Sequence, residues 1–180
     1  MNVLVSEHIS RSIYEQGRSF YKAAQQLYET DPNSIPSIVC VAFSVELFIK
    51  SLRAEKRFKS RHVYSEGVVS YDDLFDTTLL KPTHDLSKLF DMLDDPIKDD
   101  IRNSYRKKYR FYPNIDDCIK NNKDVFLHFR YAFEHHTYVL HKTELYRLAQ
   151  FFYDYIGDKL QCESANQSLK PIAAPGAAPA

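Results

Sequence analysis

The stretch that decides the fold is residues 35–54, which read IPSIVCVAFSVELFIKSLRA. Its large apolar side chains recur at intervals of three and four residues, which is the spacing that places them on one face of an α-helix. Ser34 or Ile35 precedes Pro36, and proline is favoured in the first turn of a helix. The pattern therefore predicts a central, heavily buried helix that starts here and ends near Phe58.

The same spacing predicts further helices on both sides of this segment, at about 6–29, 83–93, 95–111, 116–134 and 142–160. The fifth of the six has a weak middle at Asn121-Asn122, because asparagine is a poor helix former. Residues 60–82 lose the helical spacing, and we expect a long connecting loop there, or a loop that contains a small hairpin. The chain is thus predicted to be all-α, an up-and-down bundle of five to six helices.

Composition sets broad limits on the class of protein. The chain has 180 residues, enough for one domain with its own core, and we assign 1–162 to a helical domain and 163–180 to a disordered Ala/Pro-rich tail. Lys and Arg total 24 and so do Asp and Glu, so the formal net charge is zero. This balance excludes a uniformly basic protein that coats nucleic acid, but it is compatible with a local basic patch.

The expected location is the cytoplasm. The three cysteines are scattered without a CxxC spacing, which suits a reducing compartment better than a disulfide framework. The N-terminal residues do not have the pattern of a secretory signal. No stretch approaches the roughly 18 apolar residues that a membrane span requires, so we expect no membrane partner.

Neither a metal nor a cofactor is expected from the motifs. Four histidines cluster at positions 128–141, but His128 and His135 are separated by about 10 Å along a helix, too far to share one ion. The chain contains none of the glycine-rich motifs that hold nucleotide phosphates, nor a nucleophile elbow.

Two short stretches, 50–61 and 98–110, each contain six Lys or Arg, and together they hold half of the 24 cations. In the second stretch cations alternate with aromatic residues, a combination that can bind phosphates and stack on unpaired bases. The candidate RNA-binding residues are Arg102, Arg106, Lys107, Lys108 and Arg110. The alternative is a solvated helix surface whose aromatic side chains face the core.

The segment FLHFRYAFEHH, residues 126–136, places Arg130 at the margin of an apolar helix face. A guanidinium in that position requires a partner. Glu134 is one candidate, and Glu46, within an apolar run of the central helix, is the other. A buried Glu46–Arg130 or Glu46–Lys50 ion pair that only stabilises packing is the structural alternative to a functional role.

These residues resemble those of HEPN domains, a helical-bundle family with an R-x4–6-H motif late in the chain. Arg130 and His135 fit the shortest form of that motif. The acid and base in AFSVELFIKSLRA, 42–54, and the His84-Asp85-Leu86 sequence at the head of a middle helix are also similar to the family. The resemblance covers about residues 5–160.

The resemblance implies a metal-independent endoribonuclease that acts as a homodimer, with a toxic or defence-related role. Arg130 would hold the scissile phosphate and His135 would be a general acid or base. Tyr131 departs from the family, because active members have a small polar residue after the arginine. This departure favours the alternative of a non-catalytic binding or adaptor module, in which Arg130, Tyr131, Glu134 and Glu46 have structural roles.

Overall fold

The structure is a computed structural model that describes residues 9–53, 55–63, 69–76, 83–131 and 139–168, with side chains for 9–53, 83–131 and 139–163. These residues form seven helices and one two-stranded antiparallel hairpin. The helices are α1 Arg11–Thr30, α2 Ile35–Ser51, α3 Leu86–Asp91, α4 Asp95–Lys108, α5 Ile115–Asn121, α6 Val125–Arg130 and α7 Lys142–Ser168, and the strands are β1 Glu55–Val63 and β2 Val69–Asp76. The predicted helical bundle is confirmed. The small hairpin that the sequence allowed within 60–82 is present, but its first strand begins earlier, at Glu55.

Helices α1 and α2 pack side by side in opposite directions. At one end of the pair the Ser10 backbone N–H donates to the Ser51 carbonyl, and at the other end the Ser37 hydroxyl donates to the Ala24 carbonyl. Gly17 lies between these ends, where an added Cβ would be only 2.9 Å from the Phe48 ring. Glycine at this position therefore allows the two helices to approach closely.

Helix α4 packs against α7 in the opposite direction. Asp100, near the start of α4, accepts a hydrogen bond from the Tyr155 hydroxyl and forms an ion pair with Lys159 of α7. Lys108, at the end of α4, contacts Asp154, which lies earlier in α7. The Lys159 contact lowers the pKa of the Asp100 carboxyl below its ordinary value.

Helix α7 is also antiparallel to α1, since Tyr14 donates to the Tyr153 carbonyl and Tyr28, later in α1, lies beside Tyr146, earlier in α7. Helices α1, α2, α4 and α7 therefore alternate in direction, as an up-and-down bundle requires.

The central helix is buried as predicted, but it is shorter. Val41, Val45, Phe48 and Ile49 are fully enclosed in the core. Helix α2 ends at Ser51 rather than near Phe58, and the following residues pair with β2 instead. The reason is that residues 55–63 have few large apolar side chains at helical spacing, so a continued helix would have no face to bury.

Other boundaries differ by smaller amounts. The predicted fifth helix divides at its weak middle, where the Asn122 side-chain amide donates to the Cys118 carbonyl, giving α5 and α6. Helix α4 ends at Lys108 instead of near Phe111, and α7 continues to Ser168, beyond the predicted domain limit at 162. No helix in the described part of the chain is both long and apolar enough to cross a membrane.

Candidate functional site

A buried carboxylate lies at the centre of one helix face. The side chain of Glu46 is completely buried on α2, yet both of its oxygens are occupied. Lys50 Nζ lies 2.6 Å from Oε1, and His84 Nδ1 lies 2.9 Å from Oε2. Lys50 is 19% exposed and His84 is 38% exposed, so the carboxylate is covered by two cation-forming groups that reach solvent. A buried carboxylate without such partners would be strongly destabilising.

Local structure fixes His84 in this position. The residue stands immediately before Asp85, the N-cap of α3, whose side chain accepts a hydrogen bond from the Lys88 backbone N–H. The Thr83 hydroxyl accepts from the Asp85 N–H, and the Leu86 N–H donates to the Lys123 carbonyl. The segment that carries the imidazole is therefore anchored on both sides.

The contact with Glu46 determines which imidazole nitrogen is free. A carboxylate only accepts hydrogen bonds, so Nδ1 of His84 carries the proton that is donated to Oε2. Among the described residues, no protein atom is hydrogen-bonded to Nε2 of His84. In the neutral ring this atom has a lone pair directed away from Glu46.

Arg130 is the last residue of α6, and its side chain is exposed. Its guanidinium carbon lies 5.8 Å from the centroid of the Phe126 ring and 5.5 Å from that of the Tyr131 ring. The Phe126 ring also contacts the ring of His84, at 4.9 Å between centroids. Arg130 and His84 are thus neighbours of the same phenyl ring.

The Glu46–Arg130 ion pair, one of the alternatives that the sequence left open, is not formed. Glu46 is paired with Lys50 and His84, and no described carboxylate lies within ion-pair distance of Arg130. Of the two pairs that the sequence left open, the structure contains Glu46–Lys50. Tyr131 is partly exposed beside Arg130. Glu134 and His135 lie outside the described residues.

Sequence reasoning did not assign His84 to the site, although the residue was part of the family resemblance. The available signal was its position directly before an N-cap aspartate and an amphipathic helix, which places a polar side chain at a helix start. That signal does not reveal the partner, because Glu46 is 38 residues away in the chain.

The basic stretch of α4 divides into two sets in space. Arg102, Arg106 and Arg110 line a cleft of about 210 Å³ between the end of α4 and the start of α5, together with the side chains of Tyr105, Tyr109, Tyr112, Pro113, Asn114, Ile115 and Asp116. We call this the α4 cleft. Lys107 and Lys108 do not line it, and Lys108 is paired with Asp154 at 2.6 Å. The five predicted RNA-binding residues are therefore not one continuous surface.

Charge in the α4 cleft is partly neutralised. Arg102 donates from Nε and Nη2 to Asp116, and from Nη1 to Asp99. Among the described side chains, Arg106 and Arg110 form no ion pair. These two guanidinium groups are the ones available to an anion in the cleft.

The aromatic residues of the same stretch also divide. Tyr105 is buried in the core, where desolvation raises the pKa of its hydroxyl. Its burial agrees with the alternative of a solvated helix surface, which has the aromatic side chains facing the core. Phe111 is 91% exposed and Tyr112 is more than half exposed. Arg147 of α7, which sequence reasoning missed, has its guanidinium carbon 3.7 Å from the centroid of the Tyr112 ring.

The described part of the first basic stretch, residues 50–53, does not line the α4 cleft. Leu52, just after α2, lines a pocket with Pro96 and Ile97 at the start of α4. Arg110 follows the other end of that helix, which is 14 residues or about 21 Å long. Lys50 therefore lies away from the α4 cleft.

Within the described residues there is no group of three side chains suited to holding a metal ion. Comparison of the chain with protein-family models, with curated proteins and with solved structures finds no match. The functional assignment therefore depends on the geometry and on the motif.

Proposed function

We propose that this chain is a HEPN-like, metal-independent endoribonuclease that acts on RNA as a homodimer, with Arg130 and His135 as its catalytic residues. The observation that carries the proposal is the state of Arg130. Its guanidinium is exposed and held against two aromatic rings, while the only buried carboxylate of the described chain, Glu46, is already occupied by Lys50 and His84. A guanidinium that no described carboxylate engages is available for a phosphodiester.

The chemistry follows from these two residue types. The 2′-oxygen of the RNA attacks the adjacent phosphorus, a new O2′–P bond forms, and the P–O5′ bond breaks. The products are a 2′,3′-cyclic phosphate and a 5′-hydroxyl. Arg130 stabilises the charge that develops on the phosphoryl oxygens, and His135 transfers one of the two protons involved.

Two further features support RNA as the substrate. The α4 cleft combines Arg106 and Arg110, which have no described ion pair, with the exposed ring of Tyr112. Guanidinium groups bind phosphates, and an aromatic face stacks on an unpaired base regardless of its identity. We propose that this cleft holds a single-stranded segment away from the scissile bond.

Homodimer formation is part of the proposal. Leu127, Tyr131 and Val139, on and after α6, are large apolar or aromatic side chains that are each more than a third exposed. A second copy of the chain would cover them. We also place the protein in the cytoplasm, since its cysteines Cys40, Cys118 and Cys162 are all free thiols.

The test is cleavage of a single-stranded oligoribonucleotide in the presence of EDTA. We expect the wild type to cleave and Arg130→Ala to lose about 10²–10³-fold in rate, the usual effect of removing one donor that stabilises developing charge. His135→Ala should be similarly impaired. Arg18→Ala is the matched control, because Arg18 is a partly exposed arginine on α1 whose one ion pair among the described residues is with Glu15.

Thermal unfolding of Arg130→Ala completes this test. Because the side chain is exposed and has no described ion pair, the free energy of unfolding should change by no more than about 0.5 kcal/mol. Cleavage by folded Arg130→Ala and His135→Ala at the wild-type rate would contradict the site assignment.

A non-catalytic RNA-binding or adaptor module is the second candidate. The observation that favours it is Tyr131, whose ring lies beside the guanidinium of Arg130 and restricts access from that side. This candidate predicts that the wild type binds the oligoribonucleotide in a fluorescence anisotropy titration but does not cleave it. It also predicts that replacing Tyr131 by serine leaves the RNA intact.

A further inference from the structure

The arginines of the α4 cleft differ in how far protein carboxylates already engage them. Arg102, on α4, is held by Asp116 and Asp99. Arg106 lies one helical turn later, and Arg110 lies just beyond the C-terminal end of α4. Both side chains are exposed, and neither forms an ion pair with a described side chain. The cleft therefore has two unengaged cations toward one end of its arginine row and carboxylates toward the other.

The size of the cleft limits what these cations can hold. Its volume of about 210 Å³ is below the roughly 300–1,000 Å³ of a pocket that encloses a drug-sized molecule. It has room for one phosphate and part of its nucleotide. A strand that continued past Arg106 toward Arg102 would bring the next phosphate close to the carboxylates of Asp116 and Asp99, which repel it. The charge pattern therefore favours a strand that ends in the cleft.

We propose that the α4 cleft binds the terminal phosphomonoester of a single-stranded RNA. The inference rests on the proposed function, because it names the part of the RNA that the cleft takes. A phosphomonoester has close to two negative charges at neutral pH, since its second pKa is about 6, whereas an internal phosphodiester has one. The two guanidinium groups of Arg106 and Arg110 match the dianion in charge and in hydrogen-bond donors.

One aromatic ring of the cleft has an open face for the terminal base. The guanidinium carbon of Arg147 lies 3.7 Å from the centroid of the Tyr112 ring and covers one face of it. Tyr112 is nevertheless 55% exposed, so the opposite face is open. Tyr109 meets the same ring edge to face, with 6.1 Å between centroids. Because an aromatic face stacks on any base, the site would recognise the end of a strand rather than a sequence.

Other polar side chains of the cleft are already engaged by the protein. The Asn114 side-chain oxygen accepts from the Asp117 backbone N–H, and its amide donates to the Asp117 carboxylate. The Asp116 carboxylate accepts from Arg102. Among the described side chains that line the cleft, the charged donors without an ion pair are therefore the two arginines assigned to the phosphate.

A phosphorylated protein side chain presents the same dianion as an RNA end. The open face of Tyr112 favours RNA, because a nucleotide places a flat base beside its phosphate, whereas phosphoserine has no flat group to stack. We therefore assign RNA as the ligand and use a phosphoserine peptide as a competitor in the test.

The first test compares the ends of one tetranucleotide built from 2′-O-methyl ribonucleotides. This strand lacks the attacking 2′-hydroxyl, so binding is measured without cleavage. Three forms are compared, with a 5′-phosphate, a 3′-phosphate or hydroxyls at both ends, and fluorescence anisotropy gives their affinity for the full chain. We expect at least one phosphorylated form to bind about tenfold or more tightly than the hydroxyl form. The tighter form identifies the terminus, and equal affinity of all three would overturn the proposal.

A methyl ester of the terminal phosphate separates charge from size. The ester keeps the phosphate oxygens but has only one negative charge, so most of the gain in affinity should be lost. A methyl ester that binds as tightly as the free phosphate would contradict recognition of the dianion.

Competition identifies the class of ligand. A nucleoside monophosphate that carries its phosphate on the preferred position should displace the labelled strand. Inorganic phosphate and a phosphoserine peptide should be about fivefold or more weaker as competitors, because they do not stack on Tyr112. A phosphoserine peptide as effective as the nucleotide would exclude RNA as the specific ligand.

Variants place the end within the cleft. Arg106→Ala and Arg110→Ala should each remove most of the preference for the phosphorylated form, whereas Lys107→Ala should not, because Lys107 does not line the cleft. Asp116→Asn should act in the opposite sense, since it releases Arg102 and removes a repelling charge. We expect this variant to bind the hydroxyl form more tightly and so to narrow the preference. A full preference in folded Arg106→Ala and Arg110→Ala would place the phosphate elsewhere and overturn the assignment.

The outcomes distinguish this inference from the proposed function. If no form of the strand binds the wild type, RNA binding at the cleft fails and the inference fails with it. If all forms bind equally and the arginine variants weaken each of them, only the inference is overturned. Cleavage is measured on a different substrate and depends on Arg130, so failure of the cleavage assay alone would remove the proposed reaction and leave this binding site in place.

Discussion

Two regions of the molecule present positive charge, and they do so in different ways. On the α2–α6 face, which consists of Glu46, Lys50, His84, Phe126 and Arg130, one carboxylate is completely buried and two groups hold it. In the α4 cleft, the carboxylates that hold arginine are at the surface. Asp116 and Asp99 are both well exposed where they meet Arg102.

The difference between a buried and an exposed carboxylate shows how firmly each one holds its cationic partners. A buried carboxylate must be paired, because leaving it alone in the interior is costly, so its partners are committed to the fold. An exposed carboxylate is solvated whether or not it is paired, so a surface ion pair contributes about 1 kcal/mol or less. Glu46 does not hold Arg130, because Lys50 and His84 already occupy both of its oxygens, whereas Arg102 is held only weakly by Asp116 and Asp99.

The largest expected effect concerns stability on the α2–α6 face. Glu46→Ala should lower the free energy of unfolding by about 3–5 kcal/mol, since it leaves Lys50 and His84 without their buried partner. Urea denaturation followed by circular dichroism measures this change. Asp116→Ala, which removes the surface partner of Arg102, should cost about 1 kcal/mol or less. Equal losses of unfolding free energy in Glu46→Ala and Asp116→Ala would contradict the contrast between the buried and the surface carboxylate.

A smaller effect is expected on RNA binding at the α4 cleft. Replacing Arg106 and Arg110 together by alanine should weaken binding of an oligoribonucleotide and reduce the slope of log K against log salt by about 1.4, from two lost phosphate contacts to a single strand. Fluorescence anisotropy at several salt concentrations gives this slope. Lys107→Ala is the control, because Lys107 belongs to the same basic run but does not line the cleft. An unchanged slope in the double variant would remove the cleft from the RNA-binding surface.

Much of the fold could be predicted because helical spacing is a local property. The burial of α2 follows from apolar residues that recur every three or four positions, and the break at Asn122 follows from the poor helix propensity of adjacent asparagines. The end of α2 was predicted too late, because a run of cations that suits a helix C-terminus also suits an exposed hairpin. Which of the two forms depends on pairing with β2, a contact that periodicity does not report.

The candidate site was predictable only in part. The position of Glu46 within an apolar run indicated that it must have a partner, and Lys50, four residues later on the same helix, was one of those considered. His84 could not be identified as the other partner, because its distance from Glu46 depends on how α3 docks on α2. The sequence grouped all five cations of the α4 basic run as RNA-binding candidates, whereas in the structure Lys107 and Lys108 do not line the cleft.

The measurement that tests the central claim most directly is a pair of double-mutant cycles on the free energy of unfolding. One cycle combines Glu46→Gln with Lys50→Met, and the other combines Glu46→Gln with Arg130→Met. The structure predicts a coupling energy of at least about 1 kcal/mol in the first cycle, where the residues are in contact, and one within about 0.5 kcal/mol of zero in the second. A coupling energy between Glu46 and Arg130 as large as that between Glu46 and Lys50 would contradict the account, because Arg130 would then be a structural partner of the buried carboxylate and unavailable to a phosphate.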